Sequence, residues 1–336
     1  MRVLVNGTGN IGTTLANLLL AHRAALGIGE VVVRKVRETR PFEVSEVSEL
    51  AQRGARLVLS PTEGATADLL ASVDYVFDCR RPGAALRDRE TYLRLPNLRG
   101  ASAQGSESGF GVPFVDGVNA EVVRREKLVQ IASCNTHATA TLLRVLGGER
   151  LGRLEEADLV CVRRSEDLGG RERLVGANVV SRHRDDRHGT HHAADAARVY
   201  ATLGLAPCVT SSDITTPSQL MHAVRFNIRL CGPRAAADVV ADFKAEPRLA
   251  LTAKFDSNLV FELGRRYGFQ GRLYAHAIVV ANDLLVTGRN VRGWAFVPQE
   301  GNTLLSTIAA FLLQTDHPRA EALGQKLCTS LIPRTT

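Results

Sequence analysis

The sequence predicts an α/β protein in which an N-terminal Rossmann-type doubly wound sheet is followed by an α+β domain. Three observations lead there. The chain has 336 residues, 45% of them hydrophobic, enough for two cores. Its first apolar run, Arg2 to Val5, enters the turn Gly7-Thr8-Gly9-Asn10-Ile11-Gly12 and then an Ala/Leu-rich helical stretch, Thr13 to Ala21. Further short apolar runs, 56–59 and 74–79, alternate with helical segments, as parallel strands joined by crossovers do.

The glycine turn is the first element with chemistry in it. Gly7 makes the tight turn, Gly9 lets the backbone approach a pyrophosphate, and Gly12 permits close packing of helix on strand. Asn10 and Ile11 begin a helix whose free N–H groups face the phosphates. The other reading is a glycine-rich turn without a ligand. The second strand, Glu30 to Val33, is expected to end in Arg34-Lys35-Val36-Arg37, where an NAD-preferring fold offers a carboxylate to the ribose. Bases there suit the 2′-phosphate of NADP. Glu38 keeps NAD open, and a solvated loop is the plainer alternative.

The formal net charge of +7 favours anionic partners. Its bases are scattered, aromatics are 5%, and no basic run with interleaved aromatics occurs, so nucleic acid is not the expected partner. The six cysteines (79, 134, 161, 208, 231 and 328) are far apart and form no CxxC pair, which argues against a disulfide framework or a metal site. The opening apolar run leads into a turn and reads as a strand, not a secretory leader. Stretches such as Ile308 to Leu313 are too short to span a membrane. The expected location is the cytoplasm.

Ser133-Cys134-Asn135-Thr136 follows an apolar strand, Leu128 to Ala132, and precedes a helical segment, Ala138 to Leu146. A cysteine at a strand-to-helix junction meets free backbone N–H groups and the positive end of a helix dipole, which favour thiolate. Cys134 is therefore the candidate nucleophile, and the other five read as structural or incidental. Histidine is the natural proton partner. His222 opens a strand-like run and His191-His192 follows an Arg/His/Asp-rich loop, but spacing alone does not choose among the nine histidines.

Taken together, Asn6 to Gly12, Gln104-Gly105-Ser106-Glu107, Ser133 to Thr136, Arg163-Arg164 with Asp167, His191-His192 with Asp195, Leu220-Met221-His222, Pro247-Arg248 and Gln299-Glu300 resemble the archaeal-type (type II) glyceraldehyde-3-phosphate dehydrogenases. The resemblance covers nearly the whole chain. In aspartate-semialdehyde-type dehydrogenases, which share the plan, the nucleophile usually follows an Asn; here Cys134 precedes Asn135. The resemblance implies a glyceraldehyde-3-phosphate-dehydrogenase-like fold. Residues 1–133 and 302–336 would form the dinucleotide-binding domain, with the C-terminal helix returning to it, and 134–301 the catalytic domain. It implies Cys134 as nucleophile, His222 as general base and acid, and Asn135 as an orienting group. Arg163, Arg164, His191, His192 and Thr136 would hold the substrate phosphate. Gly7, Gly9, Asn10, Ile11, Gly12, Arg34, Lys35, Gln104, Gly105 and Gln299 would serve the cofactor, NADP or else NAD. A homotetramer or dimer is the family habit.

Three positions depart from the family pattern. His137-Ala138 stands where Thr-Gly is usual, Val224 where a second histidine is common, and Pro298 where a His usually precedes Gln-Glu. The missing Thr bears on the step in which inorganic phosphate releases the acyl group. The readings left open are a phosphorylating dehydrogenase of a small phosphorylated aldehyde, a paralogue acting on a different phosphorylated or phosphonated compound, and a cofactor-binding regulator without catalysis.

Overall fold

The computed structural model describes residues 1–35, 44–60, 66–105, 107–164, 184–217 and 220–336. These form two compact units. The first comprises Met1–Asp116, Ala120–Ala132 and Leu304–Gly324; the second comprises Gly117–Asn119, Ser133–Thr303 and Gln325–Thr336.

The first unit is built on β1 (Arg2–Asn6), β2 (Glu30–Lys35), β3 (Arg56–Leu59), β4 (Tyr75–Asp78), β5 (Gly100–Gln104), β6 (Val112–Phe114) and β7 (Leu128–Ile131). They lie in the order β3-β2-β1-β4-β5-β7-β6, and every pair is parallel. Strands buried on both faces need continuous apolar runs, and Leu4, Val32, Val76 and Ala101 supply one such core. Pro113, which has no N–H for a ladder, sits on the edge strand β6. The strand order reverses between β1 and β4, so the crevice for a ligand opens beyond the carboxyl ends of these two strands. The helix Leu304–Gln314 is buried along all its residues. Phe311 packs on Tyr75 and Phe77 at 5.0 and 5.5 Å between ring centroids, and Gln314 Oε1 accepts from the Tyr75 hydroxyl at 2.6 Å.

Strand β2 runs two residues beyond the expected end at Val33. The Gly7 amide donates to the Arg34 carbonyl (3.0 Å) and the Ser60 amide to that of Lys35 (3.1 Å), so neighbouring segments extend the ladder past the apolar run. Arg34 and Lys35 are thus strand residues, and both are buried. Val36, Arg37 and Glu38 lie outside the described residues.

The second unit holds β8 (Leu154–Arg164), the short pair β9 (Arg184–Asp185) and β10 (Gly189–Thr190), then β11 (Val209–Thr216), β12 (His222–Leu230), β13 (Leu249–Thr252), β14 (Ala277–Val280), β15 (Leu285–Thr287) and β16 (Asn290–Val297). The mixed sheet runs β11-β8-β12-β16-β14-β13, with β15 on β16. The last residues of the chain lie along its edge strand β13: the Leu251 and Thr336 amides bond to the Arg334 and Leu251 carbonyls at 3.1 and 2.9 Å. The helices Cys134–Gly147 and His191–Ala201 are joined by the Tyr200 hydroxyl, which donates to the Ala140 carbonyl at 2.7 Å. The fold is therefore the predicted one, a Rossmann-like α/β sheet with a separate mixed sheet, consistent with a glyceraldehyde-3-phosphate-dehydrogenase-like arrangement. Among the described residues no helix is long and apolar enough to cross a membrane.

Candidate active site

The glycine turn has the shape its spacing predicts. Gly7 takes φ +115°, and a Cβ there would lie 2.9 Å from the Cys79 carbonyl oxygen; a Cβ at Gly12 would run into the Gly7 carbonyl oxygen. Gly9 has nothing within 4 Å of its Cβ direction, so the turn is closed on the protein side and open on the other. Gly9 caps the helix Asn10–His22 without a side-chain bond, the arrangement in which a helix start meets an anion. These features fit a dinucleotide pyrophosphate. Gly105 is equally open, at φ +76°, while Gln104 donates to the Thr307 hydroxyl at 2.8 Å. Ser106 lies outside the described residues.

The bases at the end of β2 are held inward. Arg34 donates to Asn6 Oδ1 at 2.8 Å and to the Ser60 hydroxyl at 3.4 Å. Asn6 in turn donates to the Tyr92 hydroxyl, which donates to Asp78 at 2.7 Å, and Asp78 is paired with Arg80 at 2.6 Å. Burial and then the charge of Arg80 pull the Arg34 guanidinium downward from its ordinary range. Arg34 thus organises the floor of the crevice and does not project from it.

In the second unit Ser133 caps the helix Cys134–Gly147. Its hydroxyl accepts from the Thr136 amide at 3.4 Å and bonds the Thr136 hydroxyl at 2.8 Å, so Thr136 is committed to the cap. Cys134 is the first helical residue and is partly exposed. Asn302 Nδ2 donates to the Cys134 carbonyl (3.0 Å) and to the His276 carbonyl (3.1 Å). The buried Asn135 Oδ1 has no hydrogen-bond partner among the described residues. His137 is occupied by other groups. It is buried, its Nδ1 donates to the Ser133 carbonyl at 3.1 Å, and its ring meets His276 edge-on at 4.8 Å.

One face of the mixed sheet collects the remaining groups. Alternation along β8 sends Cys161 and Arg163 to the same side. Asp213 of β11 lies opposite Cys161, and the Thr190 and Ser211 hydroxyls, 2.6 Å apart, bring the start of the helix His191–Ala201 over that strand. Arg163 donates to Asp213 at 3.3 Å, His192 Nε2 is 3.7 Å from the same carboxylate, and the His191 and His192 rings lie 3.9 Å apart. Burial first, then Asp213 and Cys134, push the Cys161 thiol far above its usual range, with Arg163 opposing; Cys134 and Arg163 therefore both lie within electrostatic reach of Cys161. On the strand beside β8, His222 Nδ1 accepts from the Arg164 amide at 3.0 Å. An amide N–H can only donate, so the neutral ring carries its proton on Nε2.

Arg164 is not part of this group. As the next residue on the strand it faces the other side, where Glu300 accepts from it at 3.0 Å and the Leu220 carbonyl at 3.2 Å. Oriented by its hydrogen-bond partners, the Gln299 amide turns its oxygen to this guanidinium, 3.0 Å from Nη1, and its nitrogen to the Val297 carbonyl at 3.0 Å. Arg272 holds the second oxygen of Glu300 at 3.2 Å. Asp195 pairs with Arg198, and Asp167 lies outside the described residues.

Sequence reasoning missed Asp213 and Asn302. Asp213 had a signal: in Val209–Thr216 the buried positions are 209, 211 and 213, so a carboxylate stands on the inward period of a strand. Asn302 had none, since its role rests on backbone carbonyls far apart in sequence. No group of side chains among the described residues has the make-up of a metal site.

Comparison with known proteins bears on the family and the fold. No family model matches the chain. It is 23% identical over 257 residues to a glyceraldehyde-3-phosphate dehydrogenase of Pyrobaculum calidifontis, covering 75% of this chain and 72% of that protein. It is 24% identical over 262 residues to the enzyme of the same name from Hyperthermus butylicus, with the same coverage. A shorter match, 28% over 176 residues, links half of the chain to acetaldehyde dehydrogenase 4 of Azotobacter vinelandii, about half of that protein. In fold and in sequence, then, the chain is a distant relative of glyceraldehyde-3-phosphate-dehydrogenase-like oxidoreductases.

Proposed function

We propose that this protein is a nicotinamide-dinucleotide-dependent dehydrogenase that oxidises a small phosphorylated aldehyde, of the glyceraldehyde 3-phosphate kind, through a thioester on Cys134, or runs the same steps as a reduction. One observation carries the reading: Cys134 opens a Ser133-capped helix that packs on the sheet bearing Arg163 and Asp213 and on the helix that brings His192 to Asp213.

Free N–H groups at the helix start favour the Cys134 thiolate, which adds to the aldehyde carbon to give a thiohemiacetal. His222, with its proton on Nε2, acts as a donor to the oxygen on which charge develops, and the Arg164 amide keeps it in that tautomer. Acting as a base at Nε2 would require the Arg164 bond to be given up while the proton moves, so we assign the donor role to the resting state. The buried Asn135 oxygen is an acceptor suited to a ligand donor. Arg163 with His191 and His192 meets the distal anion of the substrate. The glycine turn at Gly7–Gly12 and the open Gly105 would hold the dinucleotide, whose nicotinamide supplies the acceptor for the two electrons and proton leaving the substrate carbon. NADP is the proposed form, because β2 ends without a carboxylate for the ribose hydroxyls; Arg34, turned inward to Asn6 and Ser60, serves the crevice from beneath. Release of the thioester by inorganic phosphate would give an acyl phosphate. Assembly as a homo-oligomer in the cytoplasm belongs to the same reading.

A second reading of the last step is favoured by His137. The hydroxyl that the family uses there is replaced by a buried ring turned toward Ser133, which leaves water or another nucleophile to resolve the thioester. Turnover of glyceraldehyde 3-phosphate with NADP, measured with and without phosphate and with Cys134→Ser as control, tests both. Activity lost in the variant is the expected result; a full phosphate requirement rejects the second reading, and no turnover with intact NADP binding rejects glyceraldehyde 3-phosphate as substrate.

A further inference from the structure

Two adjacent arginines suggest one phosphate clamp, but they occupy a strand, and neighbouring strand residues face opposite ways. We propose that, of this pair, Arg163 alone reads the substrate's anion, and that Arg164 is a positioning residue that ties the His222 segment to the Gln299–Glu300 turn. The inference rests on the function proposed above.

The physical case starts from exposure. The Arg163 side chain is 34% exposed and, among the described residues, is paired with Asp213, which it shares with His192, so part of its fork is open to a ligand on the face that carries Cys161. The Arg164 side chain is 4% exposed. Its guanidinium is held by the Leu220 carbonyl, Glu300 and Gln299, and its amide holds Nδ1 of His222. Leu220 stands two residues before His222. The side chain of Arg164 therefore fixes the approach to the histidine, while its backbone fixes the histidine's tautomer. A buried arginine saturated by a carboxylate and two carbonyl oxygens has no fork left for phosphate; releasing it would strip the buried Glu300 of one of the cations that pair with it. The specificity consequence is that the distal anion meets one arginine and two histidines, with a carboxylate, Asp213, among them. Such a site holds a phosphate less tightly than a two-arginine clamp and tolerates shorter or less charged aldehydes.

The test uses two charged-neutral pairs on the full-length protein: iodoacetate against iodoacetamide, with alkylation followed at Cys134 by mass spectrometry, and glyceraldehyde 3-phosphate against glyceraldehyde. Arg163→Gln should lower the iodoacetate-to-iodoacetamide rate ratio roughly tenfold, the loss of one charge-assisted contact. It should raise KM for the phosphorylated aldehyde alone. Arg164→Gln should leave the ratio within about twofold of wild type, lower kcat for both aldehydes alike, and shift the acid limb of the pH profile of kcat/KM, with Arg164→Lys restoring part of kcat. Should Arg164→Gln fold poorly, Arg164→Gln/Glu300→Gln removes both buried charges and is read the same way. Collapse of the ratio in Arg164→Gln to the level of Arg163→Gln overturns the proposal, as does an Arg164→Gln enzyme with wild-type kcat and pH profile. The alkylation ratio needs no turnover. If neither aldehyde is oxidised yet the ratio splits as expected, the proposed substrate fails and the division between the arginines stands.

Discussion

His276 makes its prediction at the scale of one residue. It is buried, bonded through Nδ1 to the Thr141 hydroxyl at 2.8 Å, and held well below the ordinary imidazole range by burial first, then by the charges of His137 and Arg248. Its folded form stays neutral where the unfolded chain would take up a proton. The sign follows: the contribution is complete above the unfolded value of 6.5 and is lost as pH falls below it. The loss approaches about 1.4 kcal/mol per pH unit. Urea unfolding between pH 7 and pH 5 should show stability falling more steeply in wild type than in His276→Gln; equal slopes would remove His276 from the account. At this scale the place of Cys134 at a capped helix start was legible, because a cap, a helix start and a thiol are local features. The parting of Arg163 from Arg164 was not, because a pair of charges looks the same in a loop as in a strand, and only the pairing of β8 with its neighbours decides which way each points.

The glycine turn is an element whose parts answer to different forces. Gly12→Ala drives a Cβ into the Gly7 carbonyl and should destabilise the first unit by several kcal/mol, about the upper range for a backbone misfit, seen as a lowered Tm. Gly9→Ala meets nothing within 4 Å in the protein, so its Tm should stay within about 1 °C while dinucleotide binding, read by titration of intrinsic fluorescence or calorimetry, weakens at least tenfold. Equal binding by wild type and Gly9→Ala would argue that the open side of the turn is not a phosphate site. The strand–turn–helix order was plain in the sequence. The length of β2 was less so: apolar residues end at Val33, and the two further positions are strand because Gly7 and Ser60 bond to them, a fact of partners and not of propensity.

At the scale of the molecule, each unit is assembled from segments far apart in the chain. The first needs Leu304–Gly324 to complete it: Phe311 fills the space against Tyr75 and Phe77, and Gln314 satisfies the Tyr75 hydroxyl and the carbonyls of Glu126 and Lys127. A chain stopped after Thr303 should therefore lose cooperative unfolding of the Rossmann-like unit in near-UV circular dichroism. The milder Phe311→Ala should cost about 3–5 kcal/mol by opening a cavity among aromatic rings. A truncated chain with an unchanged transition would show that the strands alone suffice.

The tail that lies along β13 has a consequence outside catalysis altogether. A strand at the border of a sheet offers a row of free amides and carbonyls to any other chain, and the residues from Arg334 to Thr336 cover part of that row at Leu251. Removing the last three residues, which stops short of the buried Ile332, should leave the interior intact and yet turn a self-contained border into an adhesive one. The change would be visible as light scattering that grows with protein concentration, so the final turn of the chain bears more on colloidal behaviour than on the reaction.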